Sequence, residues 1–210
     1  MKTNTPLLFF TLYALIFAGT VFSQELLGTE QLLYNTLAEQ LTSEQLQRIF
    51  RIRELWGWVG YLLLPLILYL KILLVASALS IGAFFFEYDI KFNRLFNIVV
   101  KAEYIFLLPL VLKTAWFYFF RTDYTLDELQ NFVPLSLGSV FGFEHFERWI
   151  IYPLRVINLF EVAYWLLLAF LLAKALQITK SKAFTIVASS YGVGFAIWVA
   201  GVMFLILNIS

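Results

Sequence analysis

The chain has no cysteine and a single histidine among 210 residues. Without thiols it can form no disulfide, no thiolate zinc or iron–sulfur site and no cysteine nucleophile. One histidine, His145, excludes paired-histidine haem ligation and histidine-rich metal centres. Its acidic neighbours Glu144 and Glu147 do not share one helical face with it, so the sequence points to no metal and no cofactor. Charge is scarce as well: 14% of residues are charged, and 15 Lys and Arg against 14 Asp and Glu leave a net +1. That balance lacks the polyelectrolyte character of a nucleic-acid binder. Also missing are a phosphate-binding glycine loop, a nucleophile elbow and an intramembrane carboxylate pair of the kind that supports acid–base hydrolysis. The expectation is a protein that is not an enzyme.

What is present in quantity is apolar sequence, 61% of the chain, with 19% aromatic residues. It is gathered into five stretches at residues 7–22, 55–86, 104–120, 149–173 and 183–207, and the charges lie mostly between them. A hydrocarbon core of roughly 30 Å needs about 20 apolar helical residues, because lipid cannot satisfy an exposed backbone amide. The expected fold class is therefore all-α: a polytopic transmembrane helical bundle of five spans with short amphipathic extramembrane helices. It forms one domain over residues 1–210, with spans at about 7–22, 55–86, 98–120, 149–176 and 183–207. The first stretch has two readings, since Lys2, the apolar run and the small residues Ala18, Gly19 and Ser23 also suit a cleaved secretory signal. The segment by itself does not decide between them; retention as a span is expected largely from the whole-chain resemblance set out below.

Residues 24–54 read as two short amphipathic helices, one carrying Leu33, Leu37 and Leu41, the next Leu46, Ile49 and Phe50. Thr42 and Gln45 have capping-box spacing, and Arg48, Arg51 and Arg53 form a basic face read as solvated and snorkelling. Span two carries Pro65 and Lys71 and is too long for a straight crossing, so it is tilted, kinked or extended at one end. Gly82 starts its exit. Residues 87–103 set Lys91, Arg94 and Lys101 among Phe92, Leu95, Phe96 and Ile98, which suits a cationic segment at a leaflet surface. Span three contains Pro109 and Lys113. In the loop 121–148, Thr125 and Glu128 repeat the capping-box spacing, and Pro134 and Gly138 break the helix that follows. Phe132, Phe141, Phe143, Phe146 and Trp149 read as an interfacial aromatic belt. The short turn 177–182 makes spans four and five antiparallel neighbours. Lys and Arg near the span ends divide seven inside to six outside for a cytoplasmic N-terminus, and most acidic residues fall in the two outer loops of that orientation. N-in, C-out is expected.

Several short strings carry a family resemblance: Leu41-Thr42-Ser43-Glu44-Gln45-Leu46, then Gly82 followed by Ile90-Lys91-Phe92-Asn93-Arg94-Leu95-Phe96-Asn97-Ile98-Val99, and Leu107-Leu108-Pro109. Leu135-Ser136-Leu137-Gly138, Asn158-Leu159-Phe160 with Trp165, and Lys182-Ala183-Phe184-Thr185-Ile186-Val187 extend it over nearly the whole chain. On these the sequence resembles the bacterial branch of the Yip (Ypt-interacting protein) family. The resemblance implies a five-helix membrane bundle in the bacterial inner membrane, whose eukaryotic relatives act in vesicle trafficking with small GTPases. It brings no catalytic residue to carry over.

The ionisable residues inside the spans, Lys71, Lys113 and Glu161, form the candidate intramembrane polar cluster. A lone charge at a helix centre costs about 2.5 to 3.5 kcal/mol on insertion scales, so such groups pair or face water. Pairing of Glu161 with Lys113 is expected ahead of pairing with Lys71, since spans three and four flank one loop. Two functions fit. One is a noncatalytic protein that scaffolds or regulates membrane-protein partners in the lipid bilayer. The other is a small permease or permease subunit, which requires the polar residues to line a continuous cavity.

Overall fold

A computed structural model describes residues 4–141 and 146–209. Phe143, Glu144 and His145 lie outside the described residues. All regular structure among the described residues is helical, and five helical stretches are long and apolar enough to cross a membrane: Thr5–Leu26, Ser43–Phe85, Phe92–Phe119, Leu159–Leu176 and Lys180–Asn208.

Helix α1 (Thr5–Leu26) has Pro6 in its first turn, where a missing N–H leaves no helical bond unmade. A short α2 (Thr29–Ala38) follows. Then comes α3 (Ser43–Phe85), 43 residues without interruption. The Thr42–Gln45 capping box is formed, the Thr42 hydroxyl accepting from the Gln45 N–H and the Gln45 side chain accepting from the Thr42 N–H at 3.1 Å. The second of the two expected amphipathic helices is thus the first part of α3 itself. Nothing between Phe50 and Leu55 breaks the helix, and the basic residues Arg48, Arg51 and Arg53 ride on an extension of span two. At 1.5 Å per residue α3 is about 65 Å long, twice a hydrocarbon core. It also runs past Gly82 to Phe85.

Span three has two parts, α4 (Phe92–Glu103) and α5 (Leu107–Phe119), joined by a 3₁₀ turn at Tyr104–Phe106. Pro109 explains the tightened turn: it has no N–H for the Ile105 carbonyl and its ring collides with it. The expectation that residues 87–103 lie along a leaflet surface does not hold, because α4 buries Leu95, Ile98, Val99, Val100 and Ala102 and heads a membrane-length helix. Its apolar residues recur at helical spacing, and its stripe is a packing face.

The stretch between α5 and the next membrane-length helix holds α6 (Leu126–Asn131) and α7 (Leu137–Phe141), followed by α8 (Arg148–Val156). The second capping box, Thr125 with Glu128, is formed, and Arg121 pairs with Glu128. Gly138 sits buried inside α7 and does not end a helix. Span four, α9 (Leu159–Leu176), begins ten residues later than the apolar run suggests, because Asn158 separates it from α8. Asn158 is extended, its Oδ1 accepts from the Glu161 N–H at 2.9 Å, and its amide donates to the Arg155 and Val156 carbonyls. A side chain that bonds nearby backbone in this way competes with helix continuation. The last span is α10 (Lys180–Val187), a π turn at Ala188–Gly192, and α11 (Val193–Ile209).

Helix α1 runs parallel to span three: Asn97 bonds Thr5, Tyr104 bonds the Leu8 carbonyl, Thr114 bonds Ser23, and Tyr124 bonds the Leu27 carbonyl. Against α3 it is antiparallel, with Phe9 on Tyr69 and Phe17 on Tyr61. The core lies among α4, α9, α10 and the C-terminal half of α3, where Ile72, Leu79, Leu95, Val99, Leu168, Leu172 and Ile186 are fully buried. A second, smaller cluster of Leu27, Phe117 and Leu129 anchors the loop on the end of α5.

Candidate functional site

Lys71 and Glu103 meet where α3 crosses the end of α4. On α3, Leu68, Ile72, Val75 and Leu79 form the buried stripe, and Lys71 stands at its edge. On α4, Leu95, Val99 and Glu103 recur every four residues, so the carboxylate occupies a position of the apolar stripe and is only 2% exposed. Lys71 Nζ lies 2.8 Å from Glu103 Oε2 and 4.0 Å from the centroid of the Phe106 ring. The other carboxylate oxygen accepts a 2.8 Å bond from the hydroxyl of Tyr164, a fully buried residue of α9. A buried carboxylate is tolerable only when its lone pairs are matched, and here an ammonium and a phenol do so.

Glu161 lies in the first turn of α9, a favourable place for a negative charge beside the helix N-terminus. Its Oε1 accepts from Trp165 Nε1 at 2.9 Å and from the Tyr191 hydroxyl at 2.6 Å. Tyr191 belongs to the π turn, whose extra residue sets the ring toward α9. The Trp165 indole lies against Gly192 so closely that a Cβ there would stand 2.6 Å from its ring edge. Gly194 and Gly201, by contrast, have open space around them. The rings of Tyr164 and Tyr191 meet edge to face at 5.4 Å and join the Glu103 and Glu161 halves into one cluster.

Of the expected cluster residues, Lys71 and Glu161 therefore belong to one polar region, but they are not each other's ion-pair partners. Lys71 pairs with Glu103, and Glu161 is held by neutral donors. Lys113 lies on α5, ten residues beyond Glu103, and makes no ion pair among the described residues; the expected Glu161–Lys113 pair is not formed. Sequence reasoning missed Glu103, Tyr164 and Tyr191. The Leu95, Val99, Glu103 spacing was the available signal for the first, and the Asn158…Glu161 cap spacing marked the true start of α9. The tyrosines carried none, since a phenol in an aromatic-rich span resembles every other ring.

Among the described residues no buried side-chain nitrogen or oxygen lacks a hydrogen-bond partner, and no three His, Asp or Glu converge as a metal site. The cluster's donors and acceptors serve one another and tie four helical segments together. No protein-family model, characterised protein or solved structure matches the chain.

Proposed function

We propose that this protein is a noncatalytic membrane bundle, related to the Yip family, that scaffolds or regulates membrane-protein partners. In this reading it lies in a bacterial inner membrane with its N-terminus cytoplasmic and its C-terminus outside. The observation that carries it is that the polar cluster is held from within the protein: Lys71 and Tyr164 bond the two oxygens of Glu103, and Trp165 and Tyr191 both donate to Oε1 of Glu161. A transport pathway needs polar groups that can exchange partners with water or solute. Groups matched within the protein suit a structural pin, and function then passes to the outer surface, where α3 exposes Trp56, Trp58, Leu62 and Ile67.

The test is reconstitution of the purified chain in liposomes, together with affinity purification in mild detergent. Liposomes should show no solute flux above empty vesicles, and a partner recovered with the wild type should be lost on Trp56→Ala with Trp58→Ala. Saturable flux abolished by Glu161→Gln would overturn the reading in favour of a permease. Reporter fusions at both ends check the orientation, and N-terminal sequencing checks that the first span is retained.

A further inference from the structure

The α9–α10 hairpin carries an arrangement that the polar cluster does not use. A groove of about 440 Å³ runs between the two helices, lined by Leu166, Ala169, Phe170, Lys180, Ser181 and Phe184. Its polarity is graded along its length. On α9, Leu166 and Phe170 are one turn apart and Lys174 follows one turn later, toward the hairpin tip; on α10, Lys180 and Ser181 stand at the tip and Phe184 one turn deeper. The apolar wall therefore lies within the span, and the cations and the hydroxyl lie where the hairpin leaves it. The Lys180 ammonium sits 5.4 Å from the Phe170 ring centroid, bridging the two zones.

The tip has positive charge without local compensation. Residues 162–210 contain Lys174, Lys180 and Lys182 and no Asp or Glu at all. The acidic residues nearest in the chain past the end of α3, which packs on α10, are Glu87 and Asp89. Neither forms an ion pair with these lysines, which have no carboxylate within bridging distance among the described residues. The Ser181 hydroxyl makes no hydrogen bond there either. The larger surface groove, about 510 Å³ between the start of α1 and α4, has aromatic walls but no charged lining residue and offers no such complement.

We propose that the α9–α10 groove is a binding site for an anionic phospholipid. The phosphate lies against Lys180 and Ser181, with Lys174 beside it, and an acyl chain covers Leu166, Phe170 and Phe184. An ammonium on a flexible stem suits a phosphate as a point charge, and the apolar wall selects a molecule with a tail over a free anion. This goes beyond the partner-regulating reading and rests only on α9 and α10 spanning the membrane. In the N-in orientation the site faces the cytoplasmic leaflet.

The experiment takes the full chain in neutral detergent with equal amounts of phosphatidylglycerol and phosphatidylcholine of matched acyl chains, and counts bound lipid by native mass spectrometry. Phosphatidylglycerol should be retained preferentially. Lys180→Gln should lower its retention about fivefold, the loss of one interfacial cation. Adding Lys174→Gln should bring it to the phosphatidylcholine level, whereas Lys180→Arg and the distant Arg53→Gln should leave it unchanged. Phe170→Ser should weaken retention of both lipids. These positions are exposed, and an unchanged elution profile will show that the variants fold. Equal retention of the two lipids by the wild type, or undiminished phosphatidylglycerol in the double variant, would overturn the proposal. Full displacement by inorganic phosphate would also overturn it and assign the groove to a soluble anion.

Discussion

Between Leu68 and Ala83, α3 buries Leu68, Ile72, Val75, Ala76, Leu79 and Ala83 against its neighbours, while residues 47–67 of the same helix bury none. From Leu55 to Ile67 the exposed half is largely apolar too: Leu55, Trp56, Leu62 and Ile67 are all more than 60% exposed. In lipid, apolar character does not drive helices together, since a tail is as apolar as leucine; close packing and matched polar groups do. The packed half has both. Gly82 lets the Ser190 side chain approach until an added Cβ would lie 2.6 Å from it, and Lys71 finds Glu103. Gly57 and Gly60 in the exposed half have no neighbour within 4 Å of an added Cβ. Hydropathy thus marks membrane-compatible helix, and geometry divides it into a core face and an outward face.

The sharpest way to break this contrast is Lys71→Met, which leaves Glu103 buried with Tyr164 as its one remaining donor. Removing one member of a buried pair costs about 3 to 5 kcal/mol, and the half-exposed Lys71 places this case near the lower end. Thermal unfolding in detergent measures it. Lys71→Met combined with Glu103→Leu should cost less than the sum of the single changes, whereas additivity would show that the pair contributes no coupling.

Next in size is a direct comparison within α3. Leu79→Ala should destabilise by about 2 to 5 kcal/mol, as expected for a fully buried leucine, and Leu62→Ala should stay within about 0.5 kcal/mol. Comparable losses at both positions would mean that the outward half has a packing partner within the protein.

Gly192→Ala should cost about 1 to 3 kcal/mol by pushing the Trp165 indole away from the π turn, and should shift tryptophan fluorescence as the Glu161 bond lengthens. Gly194→Ala, with open space around it, should change neither stability nor emission.

The smallest effect concerns the loop. Tyr124 donates a 2.9 Å bond to the Leu27 carbonyl, and Tyr124→Phe should cost about 0.5 to 1.5 kcal/mol. Burial raises the Tyr124 phenol above its ordinary value, so the folded protein keeps this proton to higher pH than the unfolded chain does. Stability from this group is therefore complete below about pH 10 and declines above it. A melting-temperature series from pH 8 to pH 11 should show a smaller alkaline loss in Tyr124→Phe than in the wild type.

Much of this architecture is legible in the sequence. Long apolar runs pointed to helices of membrane length, and five such helices are present. Thr42 with Gln45 and Thr125 with Glu128 marked helix starts that form as expected, because a capping box is satisfied by atoms within four residues of one another. Pro109 likewise acts on its own preceding turn. The same locality made the break at Asn158 readable in principle, although the apolar run from Trp149 masked it.

Partner choice was of another kind. Lys71 had Glu161 as a candidate in the chain and met Glu103, a residue whose stripe position on α4 became decisive only once α4 turned inward. Tyr164 and Tyr191 reached their carboxylates from α9 and from a π turn, 61 and 30 residues away in sequence respectively. Composition, spacing and capping determined the membrane-length helices and their local starts, since those depend on backbone bonds closed within a few residues. Which charge meets which, and which half of α3 is core, depended on how helices distant in sequence cross, and only the tertiary structure decides that.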